Sequence, residues 1–134
     1  MGIHRFTYAL MPHFGPYNYA GVVSAAYAFN APVRHEMLKP TAGREGELPS
    51  LVLCEDRNIV IETVKKAEDS NSLIVRLYEC HNARGRAELQ CARPIRSASL
   101  CNLEETPKLD LEVHDGMIAF DYKPFEIITL KLEV

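Results

Sequence analysis

The chain has 134 residues, 47% hydrophobic and 8% aromatic with no Trp, the length of one domain and enough surface to bury for a core without disulfide or metal staples. Its 15 basic and 18 acidic residues leave a net charge of −3, which excludes the basic footprint that a dedicated nucleic-acid binder relies on. The longest low-polarity run, 20–29, is about half of the roughly 20 residues that cross a bilayer, so neither nucleic acid nor a membrane is an expected partner.

The chain opens on Met-Gly-Ile-His without a basic segment leading into an apolar one, which predicts no secretory signal. Residues 4–10 set Phe6, Tyr8 and Leu10 in phase and predict a strand. From Tyr19 the spacing changes: Val22, Val23, Ala26 and Phe29 recur with helical period, Asn18 offers an N-cap and Pro32 a stop, predicting one short helix at 18–29. Residues 31–49 hold Pro32, Pro40, Pro49, Gly43 and Gly46 without periodicity and predict an exposed loop.

Strands are then predicted at 51–54, 59–66, 73–80, 86–93, 97–103, 109–114 and 128–134. Alternation is clearest where Ala87, Leu89 and Cys91 interleave with Glu88 and Gln90. The same holds where Ile128, Leu130, Leu132 and Val134 interleave with Thr129, Lys131 and Glu133. Such a pattern belongs to antiparallel strands with one face buried and one wet. Asp69-Ser-Asn-Ser72, Asn82-Ala-Arg-Gly85 and His114-Asp115-Gly116 supply hairpin chemistry between them. The expected fold is mainly all-β, an antiparallel two-sheet β-sandwich of about nine strands with one short helix, forming a single domain over 1–134.

Four cysteines, Cys54, Cys80, Cys91 and Cys101, are spaced by 26, 11 and 10 residues, with no C-x-x-C pair. Within apolar strands they are expected as buried free thiols. Together with the absence of an N-x-S/T sequon, they point to a reducing cytoplasm.

No catalytic constellation emerges. Cys80 and His81 are adjacent on a strand, so their side chains point to opposite faces and cannot pair. Asp110, Glu112, Asp115 and Asp121 fall on solvent phases or at a hairpin tip rather than forming a two-carboxylate pair. The five histidines, at 4, 13, 35, 81 and 114, lack the spacing that sets two rings on one metal, so no metal ligands are expected. Arg84, Arg86, Arg93 and Arg96 form a local basic stretch suited to an anion or an inter-domain contact. The surface candidates for sugar binding are His13, Tyr17, Tyr19 and Arg84.

Three blocks carry a resemblance to a known family. His4-Arg-Phe-Thr-Tyr-Ala-Leu-Met-Pro-His13-Phe-Gly is similar to a strand-plus-loop segment of glycoside hydrolase family 38, the α-mannosidases. Val64-Lys-Lys-Ala-Glu-Asp-Ser-Asn-Ser-Leu-Ile-Val-Arg-Leu-Tyr-Glu79, followed by Asn82-Ala-Arg-Gly-Arg-Ala87, resembles that family's C-terminal β domain. Lys123-Pro-Phe-Glu-Ile-Ile-Thr-Leu-Lys-Leu132 resembles its terminal strand, and Leu103-Glu104 sits at a Leu-Leu-Glu-like element. The wording is similar to the cytosolic, vacuolar and bacterial branch, although Tyr17 stands where relatives often carry Trp.

The resemblance implies a fragment of a much larger retaining glycosidase. Its aspartate nucleophile, acid/base carboxylate and zinc ligands lie in an N-terminal barrel that this chain does not contain. It follows that no catalytic residue is expected here and that zinc belongs to the parent's catalytic domain. The expected function is that of a non-catalytic C-terminal domain, with that catalytic domain of the same parent chain as partner and a mannose-containing glycan as a further ligand. An independent carbohydrate-binding sandwich and a subunit-assembly module are the alternatives.

Overall fold

The structure, a computed structural model, describes residues 2–31, 33–37 and 49–134. The chain divides into two compact units, 1–43 and 44–134. Each is described separately.

Among the described residues the second unit contains nine antiparallel strands: β1 (Val52–Leu53), β2 (Ile59–Lys66), β3 (Leu73–Glu79), β4 (Gly85–Cys91), β5 (Ser97–Cys101), β6 (Pro107–Leu111), β7 (Val113–His114), β8 (Met117–Tyr122) and β9 (Ile127–Glu133). They form a four-stranded sheet in the order β1-β4-β8-β7 and a five-stranded sheet in the order β2-β3-β9-β5-β6. The inward phases of both sheets meet in one core that holds Val75 and Leu77 of β3, Leu89 of β4, Ile118 and Phe120 of β8, and Ile128, Leu130 and Leu132 of β9. Two amphipathic sheets bury their apolar faces against each other, as the period-2 pattern requires. The expected β-sandwich is the observed fold.

Several local expectations change. The run 109–114, which alternates without a break, is two strands. β6 ends at Leu111 in the five-stranded sheet, Glu112 makes the step, and β7 begins at Val113 in the four-stranded one. Alternation reports which face a residue takes, not which sheet it joins, so it runs through a corner unmarked. The turn after β7 has positive φ at both Asp115 (50°) and Gly116 (76°), the geometry of a tight two-residue hairpin. It pairs His114 with Met117 and so opens β8.

β9 also departs from simple alternation, because Ile128, Thr129 and Leu130 are all buried. Thr129 faces away from the core, and its Oγ1 accepts a bond from Arg76 Nε at 3.4 Å while Arg76 donates a further bond to the Leu103 carbonyl at 3.1 Å. The 102–106 loop is drawn onto this outer face. Glu105, at φ 67° and buried, takes Lys65 Nζ at 2.8 Å and the Glu68 amide at 2.9 Å. In this central strand a loop covers part of the outer face, so Thr129 is buried although it belongs to the polar phase.

Gly85, the first residue of β4, has a steric reason to be glycine: a Cβ there would come within 2.6 Å of the Tyr122 hydroxyl oxygen on the paired strand β8. All four cysteines are free thiols, with Cys91 and Cys101 buried and Cys54 and Cys80 half-buried.

In the first unit the expected strand at 4–10 is absent. These residues have no regular secondary structure, and among the described residues none forms a backbone hydrogen bond with them. A period-2 run becomes a strand only when a neighbour pairs its N–H and C=O groups. The helix is α1 (Val22–Asn30), which begins four residues later than the 18–29 expectation. Its N-cap is Gly21 at φ 69°, not Asn18, and residues 17–20 are turn. At its other end Ala31 N donates to Tyr27 O at 2.8 Å; Pro32, the expected stop, lies outside the described residues. Within the expected loop 31–49, residues 33–37 are exposed and irregular, and 38–48 lie outside the described residues. No helix among the described residues is long and apolar enough to cross a membrane.

Candidate functional site

A cluster of hydrogen-bonded polar side chains sits at the end of the sandwich where β3 leaves for β4 and β8 turns into β9. Glu79, the last residue of β3, occupies the inward phase after Val75 and Leu77 and is 2% exposed. Its Oε1 accepts the amides of His81 (2.7 Å) and Ala83 (3.0 Å), and its Oε2 those of Asn82 (3.0 Å) and Phe125 (2.8 Å). Burial pushes this carboxyl up, but the four N–H groups outweigh burial and hold it below its ordinary value. One side chain therefore ties two turns together, and each contains a residue at positive φ, Asn82 at 60° and Phe125 at 56°.

Beside it, Asp56 Oδ1 accepts the Asn58 amide at 2.9 Å and its Oδ2 accepts the Tyr122 hydroxyl at 2.9 Å. Asn58 Nδ2 donates to the same hydroxyl at 3.0 Å, and Asn58 Oδ1 lies 3.3 Å from His81 Nδ1. Burial pushes the Tyr122 hydroxyl up, with Asp56 adding to it, so it keeps its proton as a donor.

Both oxygens of Glu79 and both of Asp56 are committed to donors of the fold. A general base needs an acceptor free for substrate, and a general acid needs a raised pKa; Glu79 offers neither. Burial also pushes the Cys80 thiol up, which opposes thiolate formation, and its neighbour His81 is turned to Asn58. This polar cluster locks strand ends together.

The outer face of the four-stranded sheet carries a cleft of about 410 Å³ that includes Glu55, Asp56, Glu88 and Arg86 over Leu53 and Met117. Of the expected surface candidates, Arg84 lies exposed in the β3–β4 turn of this unit. His13, Tyr17 and Tyr19 belong to the other unit. There His13 lines an apolar cavity of about 370 Å³ with Leu10, Met11, Val22 and Phe29, a lining that includes neither tyrosine. Among the described residues no three His, Cys, Asp or Glu side chains gather as a metal-holding group. The described residues thus gather no ligand set for the zinc that the resemblance implies for the parent's catalytic domain.

Residues 58–130 match the family described as "Glycosyl hydrolases family 38 C-terminal beta sandwich domain". The chain belongs to this family. The matched residues of this family 38 sandwich run from Asn58, just before β2, into β9, and they contain Glu79, His81 and Tyr122 of the polar cluster. The chain is 37% identical to Alpha-mannosidase 2C1 of Homo sapiens over 98% of its own length and 13% of that protein. It is 26% identical to Alpha-mannosidase G of Dictyostelium discoideum, over 98% of its length and 12% of that protein. For the Alpha-mannosidase of Saccharomyces cerevisiae the figures are 23%, 98% and 14%. The chain therefore spans about an eighth of the length of the curated relatives it matches.

The polar cluster was not singled out from sequence, although one signal was present. Glu79 continues the inward series Leu73, Val75, Leu77, and a carboxylate on a core phase must be satisfied by donors. Nothing local marks the pairing of Asp56 with Tyr122, since that bond crosses 66 positions of sequence.

Proposed function

We propose that this chain is the non-catalytic C-terminal sandwich of an α-mannosidase, supporting the catalytic domain of the same polypeptide and bordering the edge of its substrate cleft. One observation carries the reading: proteins named α-mannosidase match 98% of this chain, while the chain accounts for 12–14% of their length. Hydrolysis of terminal α-mannosides, with the carboxylates and zinc that the resemblance implies, belongs to the remaining part of such a polypeptide.

The sandwich suits a supporting role. Two-carboxylate chemistry needs its groups held within about half an ångström by rigid surroundings, and the Glu79 and Asp56 clusters stiffen the turns that one end of the sandwich presents. The committed carboxylates described above also argue against chemistry by this chain alone. The four free thiols support a cytosolic setting, where thiols stay reduced.

An aryl α-mannoside assay tests the reading. The 134-residue chain alone is expected to give background turnover with or without added zinc, and the polypeptide that carries it in the cell is expected to turn the substrate over and to weigh several times 15.1 kDa. Turnover by the chain alone, or a native polypeptide of 15.1 kDa without activity, overturns it.

A further inference from the structure

In an antiparallel sheet with one buried face the outward phase is expected to be polar, and Thr129, Lys131 and Ser99 of the five-stranded sheet obey that rule. Ile74 breaks it but is fully covered. The end of the sheet beside Glu79 breaks it in the open. Val60 of β2 pairs with Tyr78 of β3, and Tyr78 pairs with Ile127 of β9. All three lie out of phase with the core residues Ile59, Leu77 and Ile128. Leu103, in the loop after β5, borders one cavity of about 450 Å³ with Ile127 and Thr129. An apolar row therefore crosses the outer face. Leu103 is 60% exposed and Ile127 58%, and Phe125, in the turn that leads into β9, is 61% exposed. Contiguous apolar surface of this kind marks an interface.

Each of these open side chains sits on backbone that the fold holds fixed. Ile127 is in the ladder with β3, and the Leu103 carbonyl accepts Arg76 at 3.1 Å. Phe125 stands at φ 56° with its amide on Glu79 Oε2 at 2.8 Å. A bulky residue rarely takes that conformation, which costs on the order of 1–3 kcal/mol and persists only where the surroundings impose it. The Glu79 network imposes it on a side chain that stays in solvent. Apolar anchors ordered in advance lose little freedom on contact, which is what a binding hot spot requires.

We propose that this row is the surface by which the sandwich docks on the remaining part of the same polypeptide. Leu103, Phe125 and Ile127 enter an apolar face of that body, and the cleft over Leu53 and Met117 on the other sheet is left open. The extents of the similarity name the occupant. About seven-eighths of each relative lies outside the matched region, and a body joined to the sandwich by the chain meets the row at an effective concentration on the order of millimolar. A second copy or a free protein starts far more dilute. This inference rests on the mannosidase reading for the existence of that body, and adds which face meets it.

Hydroxyl-radical footprinting tests it, read residue by residue on the isolated 134-residue chain and on the full polypeptide without substrate. Leu103, Phe125 and Ile127 are expected to react at least about tenfold more slowly in the full polypeptide, and Leu53 and Met117 to stay within about twofold. In the full polypeptide, Leu103→Asp/Ile127→Asp would bury two unpaired charges at the contact. Phe125 is then expected to return to within about threefold of its rate in the isolated chain, whereas Gln90→Asp on the other sheet is expected to leave it protected. Slow exchange of the β3 and β9 amides establishes that the sandwich is folded in each variant, and the wild-type comparison decides where one is not.

Unchanged reactivity of the three residues in the full polypeptide overturns the proposal. So does slow reaction already in the isolated chain, which would put the chain's own first unit or a second copy on the row. Equal protection of Leu53 and Met117 overturns it as well, as does a Phe125 that stays protected in the folded double variant or is exposed by Gln90→Asp. The mannosidase reading fails separately, through absent turnover in the full polypeptide, because the footprint is read without substrate.

Discussion

Glu79 shows how much one side chain decides. A buried carboxylate is costly unless its lone pairs are satisfied, and here four backbone amides from two turns do so. Glu79→Gln keeps the shape but replaces one acceptor oxygen with an NH2 that faces backbone donors. Equilibrium urea unfolding is expected to show a loss of about 2–4 kcal/mol, from charged hydrogen bonds broken and buried amides left unpaired. The pH dependence follows from the depressed carboxyl. Because its folded-state value lies below the ordinary 4.5, its contribution is complete above 4.5 and is lost as pH falls through the lower, folded-state value. The wild-type chain is therefore expected to lose stability on acidification below about pH 4.5 more steeply than Glu79→Gln, as measured by urea midpoints across that range. Alternation shows that position 79 faces inward; it does not show that four amides would come to meet it.

At the scale of the element, β9 holds the five-stranded sheet together, paired with β3 on one side and β5 on the other. Leu130 lies fully buried at its centre, while Ile127 at its start is mostly exposed. Leu130→Ala is expected to cost about 2–5 kcal/mol through lost transfer and the cavity left behind, whereas Ile127→Ala is expected to stay within about 1 kcal/mol, both read from urea unfolding. β2, β3, β4 and β5 were legible to within about two residues because each alternates and ends at turn residues. The corner at Glu112 was not, since both strands that meet there obey the same alternation. The helix start was also misplaced. Asn18 has the chemistry of a cap, but the chain turns through 17–20 and enters α1 at Gly21 with no side-chain cap.

For the whole molecule, every buried hydrophobic residue among those described lies between Ile59 and Leu132. Removing residues 1–43 is therefore expected to leave the sandwich folded, with a shift in Tm below about 5 °C, which calorimetry on the 44–134 fragment checks. Two properties were determined by sequence alone. Period-2 burial with turn residues at short intervals demanded two packed antiparallel sheets, because each strand has one apolar face and no other use for it. The wording between positions 64 and 132 resembles the family 38 C-terminal sandwich, the family to which the chain belongs. Only tertiary structure decided which strands share a sheet, which carboxylates are consumed by the fold, and whether 4–10 is a strand. Sheet membership, polar satisfaction and edge pairing each depend on groups tens of residues away or beyond this chain. A local pattern can state the need for a partner, but only the assembled neighbours can meet it.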